Sequence, residues 1–151
     1  MLKKVYDLRE DVETVALIQK ASLTTKDRGL VPEHGLFGST EWWWAIDDSV
    51  LPIVHVEGLI SRVFMSGHND YEEFEIDSGG ELSSWARVTS GGKGGSPERI
   101  AKAAMYKVGR AVHLTYVKQR FRQTLSGIPF SKSVLEIWID DRPSASTQQA
   151  V

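Results

Sequence analysis

The sequence predicts an α+β protein with five antiparallel strands, one helix inserted between the third and fourth, and a helical and looped N-terminal stretch. Three observations carry this reading. Residues 53–89 form three short runs rich in β-branched and aromatic residues, separated by the polar turns GHND and SGGE. Residues 96–109 carry the start and stop signals of a helix. The run VLEIWID alternates Leu135, Ile137 and Ile139 against Glu136 and Trp138, the two-residue period of a strand.

The N-terminal stretch opens on DLREDVETVALIQKAS. Asp7 followed by Glu10 has the spacing of a capping box, and Leu8, Val12, Val15 and Ile18 or Gln19 follow at helical intervals. A strand over Thr14–Leu23 competes with the helix, because Val15, Leu17 and their β-branched neighbours also suit one. TTKDRGLVPEHGLFGS then holds three glycines and a proline in 16 residues, which reads as loop. STEWWWAIDD reads as a short helix, with Ser39 or Thr40 as its cap and Glu41 in its first turn.

Three consecutive tryptophans, Trp42, Trp43 and Trp44, cannot share one face of any regular element. Helical side chains step by about 100°, so Trp42 and Trp44 point roughly apart. Trp42 and Trp43 are expected to be structural, and Trp44 is left for the surface and for contact with a partner.

In IVHVEGLISRVFMS, Gly58 sits where a strand would bulge or bend. YEEFEID and LSSWARV complete the meander. TSGGKGGSP is a flexible connection. In SPERIAKAAMYKVG, Ser96 is a natural cap, Pro97 suits the first helical position, and Gly109 suits the stop. Ile100, Ala103, Ala104 and Val108 mark the expected buried face. RAVHLTYVKQRFR alternates like a strand, QTLSGIPFSKS reads as a long loop, and the polar tail DRPSASTQQAV is expected to be disordered.

The order strand, strand, strand, helix, strand, strand over residues 53–140, with Gly58 in a long first strand, resembles the OB-fold, a five-stranded Greek-key barrel. The resemblance implies an OB-fold-like antiparallel barrel over 53–142, with residues 1–52 as an extension packed on it and 143–151 as a disordered tail. An SH3-like or other small barrel is the rival. It also implies a binding face on the second and third strands, Tyr71–Asp77 and Leu82–Val88, flanked by the loops Ser66–Asp70 and Gln123–Ser133. With Phe74, Ile76, Leu114, Leu135, Ile137 and Ile139 inward, the outward set includes Glu73, Glu75, Trp85, Arg87, His113, Val117 and Trp138. Trp85 and Arg87 would make a stacking pair, and Lys118, Arg120 and Arg122 a basic stripe. The simpler readings are that the extension covers the outward tryptophans and that the charges are solvated.

No catalytic motif is found. The chain has no cysteine, which removes thiolate chemistry, disulfides and cysteine-ligated metals. His34, His55, His68 and His113 show no metal-ligand spacing, and neither GHND nor PEHG rises above a polar turn. GxSxG and GxxxxGK[ST] are absent, and SGGKGGS reads as a linker. No cofactor is implied.

Net charge is −2. It divides into 6 basic and 9 acidic residues over 1–52, against 12 and 11 in the remainder. Neither part has the strongly basic character of a phosphate-binding surface. A hydrophobic content of 41% with 25% charged residues suits an ordinary globular domain. No signal peptide or membrane-length apolar run is visible, so a cytoplasmic protein is expected. A small, cysteine-free, mildly acidic, tryptophan-rich chain resembles in type the bacterial immunity proteins and antitoxins. That resemblance implies a non-catalytic module binding a protein partner, a toxin or enzyme, through acidic residues and an exposed tryptophan. The alternative is a single-stranded nucleic-acid binder using Trp85, Arg87 and the basic stripe.

Overall fold

The computed structural model describes residues 1–24, 30–31, 33–67, 69, 71–120 and 130–144. Its elements are β1 (Leu2–Asp7), a short 3-10 turn (Leu8–Glu10), α1 (Val12–Thr24), α2 (Thr40–Asp47), β2 (Val54–Met65), β3 (Glu72–Ser78), β4 (Glu81–Ala86), α3 (Pro97–Ala103), β5 (Arg110–Arg120) and β6 (Phe130–Pro143). The six strands form one sheet in the order β1-β6-β5-β2-β3-β4. The α+β class holds, as does a helix between β4 and β5.

The closed five-stranded barrel does not. The sheet is open, with β1 and β4 at its two edges. Leu2–Asp7, which shows no alternation of its own, forms a sixth strand antiparallel to β6, with Val5 bulged out between Lys4 and Tyr6. Two further boundaries differ from expectation. Phe130–Ser133 belong to β6 rather than to the preceding loop. The third helix ends at Ala103, and Ile100 and Val108, expected on its buried face, are 62% and 60% exposed. Asp141–Pro143 of the expected tail close β6 and are ordered strand; 145–151 of that tail and Gln123–Pro129 of the expected loop lie outside the described residues.

The chain divides into two compact units. The first comprises Met1–Asp7, His55–Leu114 and the chain from Glu136 onward; the second comprises Leu8–Val54 and Thr115–Leu135. The core of the first unit is built on Ile60, Phe74, Ile76, Trp85, Leu114, Ile137 and Ile139, all buried. Tyr106, beyond α3, packs edge-on against Phe74 with ring centroids 4.9 Å apart, and its hydroxyl donates to the Val88 carbonyl. Burial raises the Tyr106 phenol well above its ordinary range. Ser90 links β1 and α3: its amide donates to the Val5 carbonyl, its hydroxyl accepts from the Asp7 amide at 2.8 Å, and its carbonyl accepts from Lys102 Nζ at 2.6 Å. The segment after β4 is thereby tied to the far edge strand β1 through Ser90.

The second unit settles the competition over Thr14–Leu23 in favour of helix. Its cap is Asp11, whose carboxylate accepts from the Thr14 amide at 3.3 Å, and not Asp7, which ends β1. α2 starts as expected, with the Ser39 hydroxyl accepting from the Trp42 amide at 3.2 Å. Trp42 is completely buried against Phe37, at a centroid distance of 4.7 Å. Its indole N–H donates to Gln119 Oε1 at 3.0 Å, and Gln119 Nε2 donates to the Val31 carbonyl at 3.0 Å. A buried amide is thus used at both ends, which is what makes its burial tolerable. Gly38, at φ +75, lies so close to α1 that a Cβ would stand 2.6 Å from Val15 Cγ1.

Two stability tests follow. Trp42→Ala removes a buried indole and strands Gln119, so a loss of about 3–5 kcal/mol is expected in chemical denaturation. Trp44→Ala, at a site 63% exposed, is expected to stay within about 0.5 kcal/mol. A Cβ at Gly58 would stand 2.2 Å from the Asp77 carbonyl oxygen on the paired strand. Gly58→Ala should therefore cost about 1–3 kcal/mol by forcing β2 and β3 apart, read as a lowered denaturation midpoint.

Candidate functional site

The turn between β3 and β4 is two residues long, Gly79–Gly80, both at positive φ of 66° and 100°. Such a turn fixes the register of its hairpin. Ser78 lies opposite Glu81, Asp77 opposite Leu82, Glu75 opposite Ser84, Phe74 opposite Trp85 and Glu73 opposite Ala86. The β2–β3 register adds Leu59 opposite Asp77, Arg62 opposite Glu75 and Phe64 opposite Glu73, with Ser61 inserted as a bulge. Directly opposed residues share a face. One face therefore carries Ile60, Val63, Phe74, Ile76 and Trp85. The other carries Leu59, Arg62, Phe64, Glu73, Glu75, Asp77 and Leu82, and by alternation along β2 it continues through His55 and Glu57.

The second face is the candidate site. It belongs entirely to the first unit and is only partly shielded: Glu73 and Glu75 are half-buried, while Glu57, Arg62 and Leu82 are exposed. Glu57, Glu73, Glu75 and Asp77 share this face with Arg62. The Arg62 guanidinium lies over the Phe64 ring, 3.9 Å from its centroid, which holds it against an apolar surface. The bulged Ser61 donates to Glu75 Oε1 at 2.9 Å and so fixes the direction of that carboxylate. Tyr71, 50% exposed, stands at the β2–β3 turn, where its carbonyl accepts from the Ser66 amide at 2.8 Å. The result is an acidic surface with oriented carboxylates and apolar members at Phe64 and Leu82.

The residues singled out from the sequence divide in the structure. Glu73 and Glu75 lie on this face, with Tyr71 at its end. Trp85 is 7% exposed and is not outward: opposed to Phe74, it must share that side chain's face, and its indole N–H donates to Ser83 Oγ at 2.9 Å. Arg87 pairs with Glu72 at 3.1 Å and its Nε is buried without a partner, so the Trp85–Arg87 stacking pair is not displayed. Val117, also expected outward, is fully buried, because β5 is buried on both sides from Thr115 to Val117. Trp138 is half-buried with Lys4 Nζ 5.7 Å from its ring centroid. Trp44, Lys118 and Arg120 belong to the second unit and are exposed; Arg120 stands 3.9 Å from Glu33. Arg122, and the GHND residues His68 and Asp70, lie outside the described residues. Asp77 and Leu82 fall inside the expected strand ranges Tyr71–Asp77 and Leu82–Val88, whereas sequence reasoning missed Arg62 and Phe64 on β2. The two-glycine turn lets the β3–β4 register be counted directly, but the positions of Arg62 and Phe64 depend on the β2–β3 register and its Ser61 bulge, which no short-range signal in the sequence marks.

The second unit holds a further surface feature, a groove of about 400 Å³. Trp43 forms part of its wall, with the Arg9 guanidinium 3.8 Å from the ring centroid. Val12, Val15 and Ala16 of α1 supply apolar lining.

Among the described residues no helix is long and apolar enough to cross a membrane. No curated protein matches the chain. The family model described as Immunity protein RhsI2 matches residues 2–140, nearly the whole chain. The chain therefore belongs to the RhsI2 immunity protein family, which supports a protein-binding role.

Proposed function

We propose that the protein acts without catalysis of its own, binding a toxin enzyme in the cytoplasm and silencing it through the acidic sheet face. The observation that carries this reading is the family match over residues 2–140. The register that places Glu57, Glu73, Glu75 and Asp77 on one side of β2–β3 supports it. Complementary charge steers association and selects the partner, so the enzyme bound there would present a basic surface. Glu73 and Glu75 would meet its cations, and Tyr71, Phe64 and Leu82 would supply apolar contact. Trp44 is proposed as a separate anchor on the second unit, since exposed tryptophans are frequent binding hot spots. Trp138, Lys118, Arg120 and Arg122 are kept as outlying members of the proposed contact set.

Capture of the cognate toxin by the full chain tests the family-level reading. The face is tested with the captured toxin in hand. Glu73→Lys with Glu75→Lys should weaken binding at least tenfold, about 1.4 kcal/mol, mostly through slower association that is sensitive to salt. Unchanged affinity in that variant would move the contact elsewhere on the molecule. Trp44→Ala should cost about 2 kcal/mol of affinity or more, with an unchanged melting temperature, and equal affinity would remove Trp44 from the interface.

A further inference from the structure

The two edges of the sheet differ in how they are protected. β1 is guarded: it is bulged at Val5, carries Lys3 and Lys4, and its Val5 carbonyl and Asp7 amide are both used by Ser90. β4 has none of these devices. Its pairing with β3 runs without a bulge from Glu81 to Ala86, and the strand ELSSWA holds no proline and no basic residue. The Arg87 amide donates to the Glu72 carbonyl at 3.0 Å, which fixes the alternation of the ladder. Glu81, Ser83 and Trp85 therefore bond toward β3, and the amides and carbonyls of Leu82, Ser84 and Ala86 point out of the sheet. All three residues are exposed, and among the described residues none pairs with their outward groups.

Such an edge is a template for one more strand. The register states the chemistry that strand must have. Leu82, Ser84 and Ala86 lie opposite Asp77, Glu75 and Glu73, so the edge belongs to the acidic face. A strand added to β4 stands two strand spacings from β3, about 10 Å. Ser84 and Ala86 are small and leave that distance uncovered. Lysine or arginine at alternate positions of the added strand reaches over them to Glu75 and Glu73, whereas aspartate or glutamate there meets like charge. The same carboxylates argue against a second copy of this chain. Two β4 edges paired with each other would set two acidic faces side by side on one surface of the joined sheet.

We propose that β4 takes up an extended segment of a protein partner, with lysine or arginine at alternate positions, by backbone pairing to Leu82, Ser84 and Ala86. The inference deepens the binding reading above and rests on it for the partner being a protein. Backbone hydrogen bonds supply affinity, and the carboxylates of β3 select the segment. Because β3 already holds β4 extended, ordering entropy is lost in the incoming segment and not in the edge that receives it.

The test uses the full chain and a synthetic peptide that alternates lysine with threonine, followed by amide hydrogen exchange in NMR. With the peptide bound, the amides of Leu82, Ser84 and Ala86 should exchange about tenfold more slowly, and those of Ser83 and Trp85, already paired to β3, should change little. A peptide alternating glutamate with threonine should have no effect. Ser84→Pro deletes an outward N–H and no bond to β3. It should weaken binding of the lysine peptide about tenfold at an unchanged denaturation midpoint. If that variant does not fold, the exchange pattern in the unmutated chain decides. No slowing at millimolar peptide, equal slowing by the acidic peptide, or slowing that grows with protein concentration alone, the sign of a second copy, would each overturn the proposal. In complex with the captured toxin the same three amides should slow. A toxin that binds and leaves them fast overturns strand addition and leaves the binding reading standing. A chain that pairs with the lysine peptide but captures no toxin overturns the binding reading alone.

Discussion

The register of β2, β3 and β4 is the constraint on which the candidate surface rests. It is set at one end by the two-glycine turn Gly79–Gly80 and adjusted at the other by the Ser61 bulge. A shift of one residue in any strand would exchange its faces. Phe74 and Ile76 would move to solvent, and Glu73, Glu75 and Asp77 into the core, where unpaired carboxylates are expensive. The hydrophobic pattern and the turn therefore demand the same arrangement. Gly58 belongs to this constraint, because only a residue without a Cβ lets the Asp77 carbonyl approach β2 so closely.

The acidic face follows as a consequence of that register. Carboxylates on β3 have nowhere else to go once Phe74 and Ile76 are buried. What distinguishes this face from an ordinary solvated one is the ordering of its groups. Ser61 holds the Glu75 carboxylate, and the Phe64 ring supports the Arg62 guanidinium. Preoriented charges lose less conformational entropy on binding than free ones. Such a surface suits a basic protein and repels phosphate, in keeping with membership of an immunity protein family.

The second unit solves a different problem. Three adjacent tryptophans bring more apolar area than one short helix can hide. Helical rotation buries Trp42 completely, leaves Trp43 half-covered beneath Arg9, and turns Trp44 outward. The buried indole still needs a hydrogen-bond acceptor, and Gln119 of β5 supplies it while its own N–H is used by Val31. One side chain thus joins α2, β5 and the segment before α2 through satisfied polar groups.

The sequence by itself determined the local elements wherever a short-range signal was strong. The caps at Ser39 and Ser96, the alternation in β6, and the inward positions Phe74, Ile76, Leu114, Leu135, Ile137 and Ile139 all stand as read. It also contained the β3–β4 register in its two-glycine turn, which sets Trp85 opposite Phe74 and so turns it inward. Other features were decided only by tertiary structure. Leu2–Asp7 carries no alternating pattern, and becomes a strand because β6 offers it an edge to pair with. Val117 is buried because β5 is covered on both sides from Thr115 to Val117. Closure was undecidable from element order, since a barrel and an open sheet can share one order of strands and helix. The hydrogen bond between His55 on β2 and His113 on β5 is likewise invisible along the chain, because it depends on which strands become neighbours, and that is settled by non-local pairing.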